Sequence, residues 1–347
     1  MHEYLLTLSK GEKVRGGNLE EAMKILMTPA ACSEAEIAAF LMGMNHPGYK
    51  VDEYDLHVIS ETIRQASTHN LADIKGVMDN CGTGGDHSNS FNISTAAAFV
   101  LASAGIKMAK NGNRNMTSRS GSMDVLQALG INTINDEAQA RELLDETNLV
   151  FLNAGHIHPR LKSIAAVRRQ LKIPTVFNVI GPLTNPVPLE YQVVGIYDES
   201  LLDVYGRALM KAGRKRAAVV HGAGGMDEAS LAGENTIVLV DKGEMSRINF
   251  HPSEAGLTVT ANESVKGGSP EENAAILIRL LKGEQNAYRE IVLLNAAIGL
   301  YVAEKADSFA EGVQLAAELI DSGEALRKYE AIKTKEVRME ESQCQII

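Results

Sequence analysis

Asn80-Cys81-Gly82-Thr83-Gly84-Gly85-Asp86 places three glycines in four positions. Glycine takes up positive φ without strain and lets the backbone come within bonding distance of a ligand, so the run suits a turn that grips an anion through its amides. Just downstream, Asn92-Ile93-Ser94-Thr95 leads into Ala96-Ala97-Ala98. Ser94 or Asn92 is expected to cap a helix whose free N–H groups and positive dipole end face the glycines. A plain turn before a helix accounts for a lone glycine cluster equally well, and neither Gly-x-Gly-x-x-Gly nor Gly-Lys-Ser/Thr spacing is present. A second segment tips the balance. Lys110-Asn111-Gly112-Asn113-Arg114 follows a predicted strand at 106–109, and Asn115 and Met116 carry it into Thr117-Ser118-Arg119-Ser120-Gly121-Ser122. Four hydroxyls within six residues, beside Lys110 and Arg114, suit a ligand with several phosphates better than a solvated turn.

Two further segments carry groups of less obvious use. His158-Pro159 opens a stretch that reaches Arg168, and Gly181-Pro182-Leu183-Thr184-Asn185-Pro186 forms a stiff, Pro-punctuated connection. Taken alone, Arg168 reads as a surface cation and His158 as a helix-end residue. Asp227-Glu228 follows Val220-His221-Gly222 and Gly224-Gly225-Met226. Facing phosphates, adjacent carboxylates would repel the ligand unless Mg²⁺ bridged the two, and Mg²⁺ favours a few carboxylates together with phosphate oxygens.

The elements that must position these groups follow from length and periodicity. At 347 residues the chain exceeds what one hydrophobic core usually organises. Lys+Arg 34 against Asp+Glu 44 leaves a net charge of −10, which disfavours nucleic acid and anionic membrane as partners. Cys32, Cys81 and Cys344 are scattered and odd in number, as reduced thiols would be. Met1-His2-Glu3-Tyr4 opens no signal-peptide pattern, so the expected location is the cytoplasm. Apolar residues three and four apart predict helices at 20–27, 33–44 and 52–66, with Ser33-Glu34-Ala35-Glu36 as a capping box. From about Val77, predicted strands at 106–109, 149–152, 193–197, 217–221 and 236–240 alternate with helices at 95–104, 122–129, 137–146 and 200–212. Helices at 270–281, 287–304 and 309–322 follow, and the charged segment 333–347 is expected to be irregular and frayed. The fold class is therefore α/β: a mainly parallel central sheet flanked by helices, with a smaller all-helical N-terminal domain. We place the helical domain at 1–72, completed by helices near 160–190, and the α/β domain at 76–345. Such sheets bind ligands at the C-terminal ends of their strands.

In order and spacing across nearly the whole chain, the glycine turn, the 92–95 and 110–114 segments, the run from His158 to Arg168, the Gly181–Pro186 motif and Asp227-Glu228 resemble the anthranilate phosphoribosyltransferases. The resemblance implies the substrates phosphoribosyl pyrophosphate (PRPP) and anthranilate, with two Mg²⁺ ions as cofactor. It implies that Gly82, Gly85, Asp86, Ser90, Asn92, Ile93, Ser94 and Thr95 cradle the pyrophosphate. Lys110, Asn111, Gly112, Asn113, Arg114, Asn115, Met116, Thr117, Ser118 and Ser122 would wrap the phosphoribosyl part. Gly82, Asn113, His158 and Arg168 match positions that handle anthranilate, and Ser94, Asp227 and Glu228 match metal ligands. The family forms homodimers through the helical domain; association with an anthranilate synthase component is left open. Two positions depart from the family pattern: Asn111 stands where His is usual beside the aromatic substrate, and Arg119 where Lys is common.

No Ser–His–Asp set, zinc triad or activated nucleophile is evident, so catalysis by positioning and electrostatics is expected. Arg168 suits a carboxylate, because a guanidinium pairs with it through two parallel hydrogen bonds. Three rivals remain: a transferase for another aromatic acceptor, which Asn111 motivates; a pyrimidine nucleoside phosphorylase, against which Asp227-Glu228 argues because phosphorolysis needs no Mg²⁺; and a non-catalytic nucleic-acid-binding relative, which the net charge disfavours.

Overall fold

A computed structural model describes residues 1–68, 71, 74–112, 120–134 and 136–344, the side chains of 336–344 excepted. Four helices come first: α1 (His2–Ser9), α2 (Gly16–Leu26), α3 (Glu34–Met44) and α4 (Glu53–Gln65). The capping box is formed: the Glu36 amide donates to Ser33 Oγ at 3.3 Å and the Ser33 amide to Glu36 Oε2 at 2.9 Å. Asp52 caps α4 through the amides of Tyr54 and Asp55. Helix α1 was not anticipated. It has no side-chain cap and is held by packing on α3, where a Cβ at Gly43 would lie 2.7 Å from Leu8.

Then come β1 (Val77–Gly82), α5 (Ile93–Ser103), β2 (Lys107–Gly112), α6 (Ser122–Ala128), α7 (Glu137–Thr147), β3 (Leu149–Asn153), α8 (Ala154–Ile157), α9 (Lys162–Leu171), β4 (Tyr191–Gly195), α10 (Leu202–Lys211), β5 (Arg216–His221), β6 (Asn235–Asp241) and β7 (Glu244–Phe250). Among the described residues these strands form one seven-stranded sheet in the order β3-β2-β1-β4-β5-β6-β7. The pairs from β3 to β5 are parallel, whereas β6 and β7 run antiparallel. The sheet is thus mixed, its parallel portion carrying the site. Neither β1 nor β7 was anticipated. Strand β1 is buried on both faces, so Val-Met-Asp-Asn-Cys-Gly shows no alternation to read. Strand β7 is a half-exposed edge, joined to β6 through Lys242 and Gly243 at φ 49 and 88, the backbone of a two-residue hairpin.

Helices α11 (Pro270–Leu281), α12 (Ala287–Val302), α13 (Phe309–Asp321) and α14 (Glu324–Cys344) complete the chain. Helix α14 runs on to Cys344 and so corrects, for 333–344, the expectation of an irregular tail, while 345–347 lie outside the described residues. Ahead of that segment Ala325, Tyr329 and Ile332 are buried, and the Tyr329 hydroxyl donates to the Leu129 carbonyl at 2.9 Å. Lys335 pairs with Glu142 and Glu146 of α7. One sheet face, with α5 and α12 through α14, forms one apolar cluster. Opposite it, residues of α2, α3 and α4 cluster with Ile164, Val167, Phe177 and the far face of β4 and β5. The strand order reverses between β1 and β4, which opens a crevice at their C-terminal ends.

Candidate active site

Three neighbouring strands, β1, β4 and β5, end in or just before glycine: Gly82, Gly195 and Gly222. The backbone of Asp227 and Glu228 lies directly across them. A Cβ at Gly195 would sit 1.6 Å from the Asp227 carbonyl oxygen, one at Gly222 2.0 Å from that of Glu228, and one at Gly82 2.0 Å from Asp227 Oδ2. No side chain larger than hydrogen fits there. Gly84 and Gly85 turn the chain at φ +70 and +90, so that the Gly84 amide donates to Asp227 Oδ2 at 2.6 Å. Thr83 donates to the Gly195 carbonyl at 2.9 Å. The glycine turn and the carboxylate pair, 143 residues apart in sequence, are one unit.

Helix α5 starts beside them. Asn92 occupies the N-cap position, yet neither it nor Ser94 caps the helix. The Asn92 Oδ1 accepts instead from Asn273 at 3.0 Å, and Ser94 turns its hydroxyl and amide to the Glu228 carboxylate. Lys110 is a second correction. It belongs to β2 rather than to a loop, as do Asn111 and Gly112, and it is 2% exposed. Its ammonium donates to the Asn80 carbonyl and, at 3.0 Å, to Ser94 Oγ, where its charge also favours the ionised Glu228.

The electrostatics are costly. Burial, then the neighbouring Asp86 and Glu228, push the Asp227 carboxyl well above its ordinary range, with a hydrogen bond to Asp86 adding to the shift. Burial chiefly, opposed by Lys110 and Ser94, pushes Glu228 up to about 7. Crowded carboxylates that resist ionisation fit a divalent cation. Among the described residues, no three or more His, Cys, Asp and Glu side chains form a ready-made metal cage. Mg²⁺ is a cation that a small carboxylate set can share with phosphate oxygens and water.

Arg168, on α9, is half-buried, which lowers its pKa. Its guanidinium lies 5.7 Å from the centre of the Phe177 ring and donates from Nη2 to Asn178 Oδ1 at 3.2 Å, while its buried Nε has no partner among the described residues. His158 is buried, with Nε2 2.9 Å from the Thr184 carbonyl. Ser122 opens α6 against the end of β2, where a Cβ at Gly112 would meet its Oγ at 2.5 Å. Asn111 is buried, and its Oδ1 has no partner among the described residues. Ser90 bridges to Lys266, and Ile93 and Thr95 are buried in the first turn of α5. Asn113, Arg114, Asn115, Met116, Thr117 and Ser118 lie outside the described residues. The sequence does not reveal that Gly195 and Gly222 seat the carboxylate pair, nor that Phe177 and Asn178 frame Arg168. Glycine closing the run Val193-Val194-Gly195 was the available signal.

Residues 74–326 match the glycosyl transferase family, a/b domain, which sets the class as glycosyl transfer on an α/β body. The chain is 46% identical over 333 residues to anthranilate phosphoribosyltransferase of Exiguobacterium sibiricum, covering 96% of this chain and 97% of that one. Against the enzyme of Oceanobacillus iheyensis the identity is 49% over 296 residues, covering 85% and 86%. The crystal structure of the Thermus thermophilus enzyme superposes with a TM-score of 0.88 at 36% identity, over 95% of this chain and 98% of that one. That of the Saccharomyces cerevisiae enzyme in complex with PRPP and Mg gives 0.86 at 26%, over 96% of each. The chain belongs to the anthranilate phosphoribosyltransferase family.

Proposed function

We propose that this chain transfers the phosphoribosyl group of PRPP to the amine of anthranilate, releasing pyrophosphate, as a step of tryptophan biosynthesis. The observation that carries this reading is the carboxylate pair seated on three strand-end glycines, against both the glycine turn and the start of α5. Asp227 and Glu228, with Ser94 Oγ, would hold Mg²⁺, two ions in all. Metal held there would offset the negative charge that builds on the departing pyrophosphate. The amides of Gly85 and Asp86 and the residues from Ser90 to Thr95 would grip that group and keep it in line with the ribose, whose C1 carbon takes on positive character, while the Thr83 and Gly84 amides brace the site itself. Lys110, fixed behind Glu228, stabilises the ionised carboxylate rather than reaching for phosphate. Arg168 meets the anthranilate carboxylate with its unpaired Nε and its fork, the stack on Phe177 setting its plane. An aryl amine is nucleophilic as it stands, so no strong base is required.

The helical domain at 1–72, completed by 160–190, and the α/β domain at 76–345 belong to the same proposal, supported by the shared apolar cluster of Leu19, Phe40, Ile164 and Val167. So does a homodimer through the helical domain, for which Leu6 and Met42, exposed on the packed helices α1 and α3, offer apolar surface. Among the described residues no helix is long and apolar enough to cross a membrane, in keeping with a cytoplasmic enzyme. The test is the loss of anthranilate fluorescence on addition of PRPP. It is expected to require Mg²⁺, and turnover that ignores Mg²⁺ overturns the assignment. Asn111, with its unpartnered Oδ1, supports a second reading in which the preferred acceptor is another aromatic amine; faster turnover of such an amine than of anthranilate would favour it.

A further inference from the structure

Asn295, on α12, is 7% exposed. Its side-chain amide closes a two-point clamp on one backbone residue: Oδ1 accepts from the Ala229 amide at 2.9 Å, and Nδ2 donates to the Ala229 carbonyl at 2.9 Å. A second Nδ2 contact returns to the Ile291 carbonyl at 2.9 Å. Both donor hydrogens and the carbonyl oxygen are thereby used. Ala229 directly follows Glu228.

We infer that Asn295 is a positioning residue for the metal-binding pair, fixing the backbone at Ala229 so that Asp227 and Glu228 stay together before the cation arrives. The inference rests on the reading of those two as Mg²⁺ ligands. Asp227 and Glu228 lie between β5 and β6, outside any helix or strand, with their backbone laid across three strand ends, and something must hold that segment in place. Gly222 bonds the loop ahead of the pair, its amide donating to the Met226 carbonyl at 2.9 Å, but among the described residues none of the three strand-end glycines holds its far side, at Ala229. Helix α12 can, since Ile291, Val292, Leu294, Ala296 and Ile298 are all 0% exposed, and a buried helix transmits its position through a paired amide. Leucine, close to asparagine in size, fills the same space and makes neither bond, which leaves the Ala229 N–H and C=O unpaired in the interior.

The test compares Asn295→Leu with Leu294→Ala, which removes packing from the same helix and touches no ligand group. Calorimetric titration of PRPP at stepped Mg²⁺ concentrations reads the metal requirement, and amide hydrogen exchange reads the loop. Asn295→Leu is expected to raise the Mg²⁺ needed for half-maximal PRPP binding about tenfold and to speed exchange at Ala229, with KM for anthranilate unchanged. Leu294→Ala is expected to lower the melting temperature while leaving the Mg²⁺ requirement as it was. A folded Asn295→Leu with the wild-type Mg²⁺ requirement overturns the inference, as does an equal shift in Leu294→Ala. Should Asn295→Leu fail to fold, Asn295→Ser decides by the same criterion. Glu228→Gln is the separate arm: if it keeps normal Mg²⁺-dependent PRPP binding, the metal assignment itself falls, whatever Asn295 does.

Discussion

The wall built from the ends of β1, β4 and β5 holds its charges against one another, whereas the wall built from α9 offers a cation with few contacts. On the first, Asp86, Asp227, Glu228, Ser94 and Lys110 crowd together, and burial with these neighbours pushes the Asp227 and Glu228 carboxyls up. On the second, Arg168 has one long bond to Asn178, an aromatic face and an unpartnered Nε. Damage to the crowded wall should disable the reaction, because every member there constrains the rest. Damage to the sparse wall should weaken one substrate alone. The sharpest test removes the charge: Asp227→Asn combined with Glu228→Gln is expected to cut kcat about 100- to 1,000-fold and to abolish the response to Mg²⁺ in the anthranilate assay. Retained Mg²⁺-dependent turnover would falsify the division between the walls.

A backbone change should come next in size. Alanine at Gly195 places a methyl group 1.6 Å from the Asp227 carbonyl oxygen, and main chain cannot swing away as a flexible side chain can. The carboxylates must shift by about 1 Å, enough to cost on the order of 100-fold in kcat. Steady-state kinetics at saturating Mg²⁺ would show it. Wild-type kcat in a folded Gly195→Ala would mean that the three glycines are incidental to the chemistry.

That dependence on Gly195 also marks where the sequence stops being legible. The turn from Gly82 to Gly85 is legible as a turn from its three glycines, and as an anion site only beside the hydroxyls and cations of the second segment. Helix α11 is readable to the residue, since Ser269-Pro270-Glu271-Glu272 combines a cap, Pro at the first position and a capping box. What one residue signals by meeting another far along the chain cannot be read this way. Asn295 looks like any polar residue in an apolar helix until its partner, 66 residues away, is known. Lys110 reads as a loop residue when strand β2 is ended at 109 instead of Gly112, because nothing local marks where the strand stops. The segment from 333 misleads for the opposite reason: its charges are visible, while the α7 surface that Lys335 docks against, and the α5 packing of Tyr329 just ahead of it, are not.

The sparse wall should answer more mildly. Arg168→Lys keeps the charge but loses the planar fork and the stack on Phe177. KM for anthranilate is expected to rise about tenfold, with KM for PRPP unaltered. Equal rises in both would place Arg168 in the crowded network after all and erase the contrast.

The smallest effect is a matter of protons. Burial holds the Glu228 carboxyl at about 7 in the metal-free protein, above its ordinary range, so Mg²⁺ must displace a proton below that pH. Apparent Mg²⁺ affinity is expected to fall about fivefold from pH 7 to pH 6. The sign for stability is the reverse. A carboxyl whose pKa is raised by folding stabilises the protein while it stays protonated, and that contribution is lost as the pH climbs through 7. The melting temperature of the metal-free protein should therefore drop between pH 6 and pH 8, and saturating Mg²⁺ should offset the drop. Glu228→Gln, which cannot ionise, isolates the effect from the histidines that titrate in the same window. If the variant and the parent show the same pH slope without metal, the proton lies elsewhere, and the crowding at the carboxylate wall is relieved by some group other than Glu228.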